Sequence, residues 1–258
     1  MTTIIAITNQ KGGVGKTTTA VNLATALAAI GRRVLVIDLD PQGNATTGFG
    51  IEKESPPYTI YHVLIGHASI TQARQSTLVP KLDIVTSNMD LSGADIELMG
   101  EQEREHILKR RIEAEKLPYD HIFIDCPPGI GFLTINALSA AHEYLIPMQC
   151  EFYALEGLSH LMRVIKRVQA KLNPHITLRG VILTMYDRRN SLSDLVSEDV
   201  QKYFGEKVYK TLIPRNVRIS EAPSHGKPVL LYDHKSSGAE AYAHLASELL
   251  HQETMNTP

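Results

Sequence analysis

The chain has 258 residues, a formal net charge of -2 and two cysteines, Cys126 and Cys150. This charge excludes a general polycation, so any nucleic-acid binding would need a local basic patch or one assembled by oligomerisation. The cysteines lack CxxC spacing, which argues against disulfides, a zinc knuckle or a secreted scaffold. We find no signal-peptide pattern and no apolar run near the ~20 residues of a membrane span, so we expect a cytoplasmic protein.

Short β-branched runs alternate with longer helical patterns along the chain. The predicted strands are Ile4–Thr8, Arg33–Asp38, Leu82–Thr86, His121–Asp125, Tyr144–Pro147, Gly180–Met185 and Val208–Ile213. The predicted helices are Lys16–Ile30, Leu155–Leu172, Val196–Phe204 and Ala239–Leu250. Several strands are apolar throughout, which is typical of a parallel sheet covered on both faces. The alternation predicts a doubly wound α/β fold with a mostly parallel sheet of about seven or eight strands flanked by helices.

The domain organisation is predicted to be simple. No stretch rich in Pro, Gly or Ser divides the chain, so we expect a single domain over residues 1–258. Because the predicted first strand lies at the start of the sequence, we expect no N-terminal helix-turn-helix module. Glu52–Tyr58 and the last eight residues, His251–Pro258, are expected to be loose.

A glycine-rich segment, NQKGGVGKTTT, follows the first predicted strand and leads into a helix starting at Lys16. A strand, a glycine loop and a helix in this order are the context that supports a phosphate-binding loop. Its backbone N–H groups can converge on an anion at the positive end of the helix. We expect Lys16 to reach the β- and γ-phosphates, Thr17 to hold Mg²⁺ and Thr18 to touch the α-phosphate.

This loop departs from the strict pattern G-x-x-x-x-G-K-[ST]. Gln10 stands where the first glycine belongs, and Lys11 adds a cation that an ordinary phosphate loop does not need. One interpretation of Lys11 is a solvated lysine at the end of a strand. The other is a second lysine that acts on phosphates.

Two predicted strands end in aspartate. Asp40 follows RVLVID and falls on a loop at the carboxyl end of the sheet, where it could orient or deprotonate a water that attacks a γ-phosphate. Alternatively, Asp38 and Asp40 only terminate a strand before a turn. HIFID describes a Walker B strand, in which Asp125 would hold Mg²⁺ through water. The Pro-Pro-Gly after it suits a nucleotide-sensing switch.

Basic residues recur on one face of the helix predicted over Leu155–Leu172. They are Arg163, Lys166, Arg167 and Lys171. Such a row is usually a solvated helix face, and a DNA-binding patch is the alternative. Asp187, Glu198 and Asp199 lie near the basic pair Arg188-Arg189 in the sequence, so this region is not uniformly positive.

Several motifs resemble those of one known family. KGGVGKTT resembles the deviant Walker A loop of the ParA/MinD family of ATPases, and DLDPQGN resembles that family's second motif. CEFYALEGL, GVILTMYD and VYKTLIPRNVRISEAPSHGKPV look more like the chromosomal ParA proteins, often called Soj, than like MinD. The resemblance covers nearly the whole chain and implies a P-loop ATPase that uses ATP and Mg²⁺.

The resemblance also implies residue roles. Asp40 would serve the attacking water, and Lys11 would cross to the phosphates of a partner subunit in an ATP-sandwich dimer. Arg189 and Arg218 would correspond to residues that contact DNA phosphates. The residues implied to bind the nucleotide are Lys11, Gly12, Gly13, Val14, Gly15, Lys16, Thr17, Thr18, Met185, Pro214, Arg215 and Asn216.

The implied activity is DNA partition. An ATP-bound homodimer would bind double-stranded DNA non-specifically, and a ParB-type partner would release it by stimulating slow hydrolysis, during chromosome or plasmid segregation. We expect a nucleoid-associated location. A MinD-like membrane-associated ATPase is the alternative, but the chain's last residues lack a basic amphipathic face. A metal-cluster ATPase and an operator-binding regulator are further rivals, disfavoured by the two cysteines and by the early first strand.

Overall fold

The computed structural model describes residues 2–151 and 154–256. Within them, seven strands form one sheet in the order β3-β4-β2-β5-β1-β6-β7. The pairing is parallel throughout except between β3 and β4. The strands are β1 Thr3–Ile7, β2 Val34–Asp38, β3 Arg74–Ser76, β4 Leu82–Val85, β5 His121–Asp125, β6 Glu143–Gln149 and β7 Thr177–Thr184. The doubly wound, mostly parallel α/β prediction is confirmed.

Helices cover both faces of this sheet. The α-helices in the described residues are α1 Lys16–Ala29, α2 Asn44–Gly48, α3 Ile60–Leu64, α4 Ile70–Ala73, α5 Ala94–Glu97, α6 Ile107–Glu113, α7 Phe132–Ala140, α8 Ala154–Lys171, α9 Ser191–Phe204, α10 Val217–Glu221, α11 Val229–Tyr232 and α12 Ser237–Asn256. Short 3₁₀ helices occur at Met89–Gly93, Arg104–His106, Gly205–Lys207 and Ala222–His225. Along the described chain, no helix is both long and apolar enough to cross a bilayer.

Side chains of the central strands alternate between the two faces of the sheet, and each face is covered by an apolar core. In β1, Ile4 and Ala6 belong to the core with α3, α6, α7 and α8, whereas Ile5 and Ile7 belong to the core with α1 and α12. Successive strand residues point to opposite faces, so a strand buried on both sides must be apolar at every position. This explains why the central strands read as continuous apolar runs.

The prediction of a strand over Val208–Ile213 was wrong. This segment runs beside β7 but makes only isolated bridges, Val181 with Val208 and Tyr186 with Pro214. The backbone N–H groups of Lys210 and Thr211 instead donate to the Glu248 carboxylate, at 2.8 and 3.0 Å. Glu248 on α12 therefore accepts these two N–H groups, whereas those of Tyr209 and Ile213 donate to carbonyls of β7, both at 2.9 Å.

Two further differences concern the ends of the sheet and the chain. The short antiparallel edge strand β3 was not predicted, because Arg74–Ser76 is polar and only three residues long. The last eight residues were expected to be loose, but α12 continues to Asn256, and Glu253 accepts a hydrogen bond from His121 Nε2 at 2.9 Å. Residues 257 and 258 lie outside the described residues.

The parallel pairing brings several loops to one edge of the sheet. Ile7 and Asp38 are both in register with Asp125, so β1, β2 and β5 end side by side. Carboxyl ends of parallel strands are where doubly wound folds bind ligands. The glycine loop, the Asp40 loop and the Pro-Pro-Gly loop therefore meet at this edge.

Candidate functional site

The glycine loop, residues 9–15, connects β1 to α1 and is held in a conformation that exposes backbone donors. Gly13 and Gly15 have φ angles of 74° and 88°, a left-handed conformation that disfavours other residues. Thr184 Oγ1 on β7 donates to the Val14 carbonyl at 2.8 Å, which fixes the loop against the sheet. Within the described chain, no side chain caps the start of α1. Its first N–H groups are therefore available to an anion.

Lys16 is buried at the centre of this loop. Its side chain is only 6% exposed, and Nζ donates to the Lys11 carbonyl at 3.0 Å. Burial lowers the pKa of Lys16, and the nearby carboxylates of Asp125 and Asp40 oppose that shift. A buried ammonium whose hydrogen-bond partner is a neutral carbonyl is well suited to a negatively charged ligand.

Lys11 points away from the loop that contains it. Its side chain is half-exposed, and Nζ forms an ion pair with the Glu151 carboxylate just after β6. The backbone N–H of Lys11 donates to Asn9 Oδ1 at 3.1 Å. The sequence analysis missed Glu151, since no local pattern links residues separated by 140 positions.

Gln10, the departure from the strict loop pattern, connects three segments. Its carbonyl accepts the Gly129 N–H at 2.9 Å, and its Oε1 lies 2.7 Å from His160 Nδ1 on α8. Gly129 belongs to the Pro-Pro-Gly turn after β5. The glycine loop is thereby tied to the turn that the sequence predicted as a switch.

Asp38 and Asp40 differ in their surroundings. Asp38 is fully buried, and its Oδ2 accepts hydrogen bonds from the N–H and the hydroxyl of Thr46, both at 2.8 Å. Burial raises the pKa of Asp38 to about 6. Asp40 lines the open pocket, and its Oδ1 accepts the Gln42 N–H at 2.9 Å. Asp38 therefore fixes the loop internally, while Asp40 borders the space in which a ligand would bind.

The carboxylate of Asp125 is buried and lacks ordinary hydrogen bonds within the described chain. It is fully buried, and neither carboxylate oxygen has a hydrogen-bond partner of ordinary geometry among the described residues. Burial raises its pKa well above the usual range; Asp38 adds to the rise, and the nearby Thr17 hydroxyl opposes it. A buried carboxylate without partners is costly, and a cation would satisfy it.

The donors at this position fit Mg²⁺. In the part of the chain that the structure describes, no group of three or more His, Cys, Asp or Glu side chains could hold a metal by itself. Mg²⁺ is commonly held by one or two carboxylates and completed by water and substrate phosphates. Asp125 and Thr17, beside the phosphate loop, supply such a partial set.

A pocket of about 490 Å³ extends from the glycine loop toward α10 and α12. Its far wall contains Met185, Pro214, Arg215 and Asn216, which the family resemblance implies bind the nucleotide. Met185 has a φ of 50°, and Tyr186 N–H bonds the Ile213 carbonyl at 3.0 Å, so β7 turns sharply at the pocket. The site residues predicted in the glycine loop and on this wall thus line one cavity, apart from Lys11, whose side chain points away, and Val14, which is buried.

Two residues of the pocket differ from the sequence prediction: the side chain of Asn216 is engaged elsewhere, and Tyr242 was not predicted. The Asn216 side chain caps α10 by accepting the Arg218 N–H at 2.8 Å and donates to Ser237 Oγ at 2.9 Å. Its amide is therefore already engaged, which leaves the backbone and the Pro214 ring to face a base. Tyr242 on α12 also lines the pocket, and the sequence analysis did not identify it because it packs there only through the fold.

The arginines predicted to contact DNA are paired with carboxylates. Arg189 is 88% exposed and bonds Asp187 through Nε and Nη2, at 3.0 and 2.9 Å. Arg218 pairs with Glu221 at 2.8 Å and with Asp233 at 3.3 Å. The four basic residues of α8 are exposed, opposite the buried Leu161 and Ile165. The geometry is compatible with phosphate contacts but does not by itself assign them.

Comparison with known proteins places this site in context. A family model described as an AAA domain matches residues 2–178. The chromosome partitioning protein ParA of Caulobacter vibrioides is 55% identical over 97% of this chain and 94% of its own length. The sporulation initiation inhibitor protein Soj of Bacillus subtilis is 56% identical over 95% of this chain and 97% of its own length.

Solved structures agree with the fold. Cobyrinic acid a,c-diamide synthase from Mycobacterium smegmatis, with a bound ATP analogue and magnesium, is 37% identical, with a TM-score of 0.87 over 98% of this chain and 96% of that one. The septum site-determining protein MinD from Pyrococcus horikoshii, complexed with Mg-ADP, is 28% identical, with a TM-score of 0.83 over 99% of this chain and 98% of that one.

Replacing Asp125 with asparagine should stabilise the ligand-free protein, because it removes a buried, unpaired carboxylate. We expect a gain of about 1–3 kcal/mol in the free energy of unfolding at pH 7. Burial raises the pKa of Asp125 in the folded protein and that of Asp38 to about 6, so the folded wild type holds protons that its unfolded chain releases, and its stability should fall as pH rises above about 4. This fall should be smaller in the variant.

Thermal denaturation between pH 4 and 8, with and without Mg-ATP, measures both effects. Asp120→Asn is the matched control, because Asp120 lies just before β5 at the opposite edge of the sheet and accepts the Arg33 N–H. Full retention of Mg-dependent stabilisation in Asp125→Asn would contradict the cation assignment.

Proposed function

The chain belongs to the ParA/MinD family of P-loop ATPases, and on that premise we propose that it is a partition ATPase whose ATP-bound homodimer binds DNA. The observation that carries the proposal is the pocket itself. It combines an open helix N-terminus, the buried ammonium of Lys16 and the unpaired carboxylate of Asp125 beside a nucleoside-sized cavity.

ATP and Mg²⁺ are the ligands that fit this pocket. The N–H groups of residues 12–18 would bind the phosphates, Lys16 would reach the β- and γ-phosphates, and Thr17 with Asp125 (through water) would hold the ion. When bound, Mg²⁺ neutralises charge on the phosphate oxygens. Met185 and the 214–216 segment would hold the base. The related structures solved with an ATP analogue or ADP and magnesium support this assignment.

Hydrolysis requires an oriented water, and Asp40 is the residue we propose for this role. Its carboxylate lines the pocket, and the hydrogen bond from Gln42 N–H orients it. Asp38 cannot substitute, because Thr46 occupies it and burial favours its neutral form. A positioned carboxylate can accept the proton of the attacking water.

Lys11 provides the link to a second subunit. Because its ammonium is half-exposed and its ion pair with Glu151 lies at the surface, it can exchange this carboxylate for the phosphates of a partner's nucleotide. A cation supplied in trans stabilises the charge of phosphoryl transfer and joins the two subunits. ATP would therefore promote dimerisation.

DNA binding follows from dimerisation. Two aligned copies of the α8 face, with Arg189 and Arg218, double the number of phosphates neutralised, and affinity rises steeply with that number. Arg189 and Arg218 would exchange their carboxylate partners for DNA phosphates. We propose a cytoplasmic, nucleoid-associated ATPase, released from DNA when a ParB-type partner stimulates its slow hydrolysis during chromosome or plasmid segregation. The names of the related ParA and Soj proteins support this role.

The direct test is co-sedimentation with DNA in the presence of ATP, of ADP or of no nucleotide. We expect binding with ATP only, and none to liposomes run in parallel. Binding to liposomes instead of DNA would favour a MinD-like membrane-associated ATPase. DNA binding that ignores the nucleotide would contradict the proposed coupling.

Asp40→Ala should separate ATP binding from hydrolysis. The variant keeps the phosphate loop, so it should bind ATP with nearly unchanged affinity and accumulate as a dimer on DNA. Turnover should fall by about 10²-fold or more, the typical contribution of a positioned general base. Nucleotide binding, steady-state phosphate release and size-exclusion chromatography measure these quantities. Wild-type turnover would remove Asp40 from the catalytic role.

Arg218→Glu should dimerise with ATP yet bind DNA weakly. Arg218 lies on α10, where a carboxylate would repel phosphates. Milder changes such as Arg218→Ala should reduce the salt dependence of DNA affinity by about one counterion per subunit.

Lys116→Glu is the control with the same charge change, since Lys116 is exposed just before β5, at the opposite edge of the sheet. Equal losses of DNA binding in the two variants would indicate a general charge effect, and wild-type binding by Arg218→Glu would place the patch elsewhere.

A further inference from the structure

An exposed apolar and acidic surface lies beside the Asp40 loop, on residues 88–105, which we call the 88–105 surface. Its large apolar side chains are Met89, Ile96 and Met99, exposed by 59%, 74% and 65%. The same segment contains six carboxylates and one basic residue, Arg104. Nothing in the proposed ATP or DNA chemistry uses these residues.

The exposed side chains are held in place by a buried underside. Leu91, Ala94 and Leu98 are buried in the core, so the segment is anchored at three points. The Met99 N–H donates to the Ile96 carbonyl at 3.2 Å, which places these two residues one turn apart. A pre-formed apolar surface loses little entropy when a partner covers it. Exposed apolar residues on a fixed frame are typical of an interaction site.

The charge around this surface favours a cationic partner. Arg104 is paired with Asp95 at 3.0 Å, and Glu97 accepts a hydrogen bond from Tyr61 at 2.7 Å. Six carboxylates against one arginine leave an excess of negative charge. DNA and anionic membranes would be repelled, whereas a peptide that combines Lys or Arg with apolar side chains would match both features.

The 88–105 surface is in contact with the catalytic loop. Gln42 Nε2 lies 3.8 Å from Met89 Sδ, and Gln42 N–H is the group that orients Asp40. Just before the surface, the Ser87 N–H donates to Thr46 Oγ1 at 3.0 Å, and Thr46 in turn bonds Asp38.

The packing between the two segments is also tight. A Cβ atom on Gly43 would lie 2.6 Å from the Ser87 carbonyl, so Gly43 leaves no free space between them. A displacement of residues 87–89 is therefore passed to the loop that carries Asp40.

We propose that the 88–105 surface binds a basic amphipathic segment of the protein that stimulates hydrolysis, and that this contact acts on Asp40 through Met89 and Gln42. The inference rests on the proposed function, because it assumes a stimulating partner. It adds the place on this chain where that partner docks.

The first test measures binding of a fluorescent 18-residue peptide with one leucine face and one lysine/arginine face. The variant Ile96→Ser/Met99→Ser should bind it about tenfold more weakly than wild type, since two apolar anchors are lost. Leu78→Ser is the matched control, because Leu78 is 70% exposed but precedes β4 at the opposite edge of the sheet. Its affinity should equal that of wild type. A Glu-substituted peptide should not bind.

The second test measures ATP turnover with and without the ParB-type partner. Ile96→Ser/Met99→Ser should keep basal turnover and ATP-dependent DNA binding but lose most of the stimulation. Stimulation equal to wild type, or a peptide affinity unaffected by the double change, would overturn the proposal. If wild-type protein shows no ATP-dependent DNA binding at all, the proposed function fails first, and the two results are distinguishable.

Cross-linking identifies the occupant. Cys126 and Cys150 are buried, so Ile96→Cys would introduce an accessible thiol for a photoreactive label. A cross-link to the partner's basic segment supports the inference. A cross-link mainly to a second copy of this chain would overturn it in favour of self-association.

Discussion

The buried charge at the ends of β1, β2 and β5 is the constraint on which the rest of this structure depends. The side chains of Asp38, Asp125 and Lys16 are all buried, and all three lie at this edge of the sheet. Neither oxygen of the Asp125 carboxylate has a hydrogen-bond partner of ordinary geometry among the described residues, and burial raises the pKa of Asp125. Such an arrangement reduces the stability of the ligand-free protein, and a bound phosphate and cation would relieve it. The residues of the site thus favour ligand binding at the expense of the stability of the ligand-free protein.

The loops around this charge form one connected unit. Gln10 joins the glycine loop to the turn at Gly129, and Thr46 joins Asp38 to Ser87. A ligand that moves one of these loops would therefore move its neighbours. This connection is a physical basis for coupling phosphate chemistry to distant surfaces, because tightly packed segments shift together rather than deform separately.

Charge is segregated on the outside of the molecule as well. The α8 face is basic, and the 88–105 surface is acidic and apolar. Although the formal net charge is only -2, local charge can still be large at each surface. Two partners of opposite character, DNA on one face and a basic peptide on another, can then bind one small protein without competing for the same groups.

The fold class, the glycine loop and the two strand-end aspartates could be predicted from the residues alone. These features are local: apolar runs mark parallel strands, and the loop motif requires neighbouring residues only. Which distant groups complete the site becomes visible only in the folded chain. Glu151 pairs with Lys11, and Tyr242 lines the pocket from α12. Glu248 binds backbone N–H groups of the segment that was predicted to be the last strand. These contacts join residues that are far apart in the chain, and no local pattern records which of them the folded sheet will bring together.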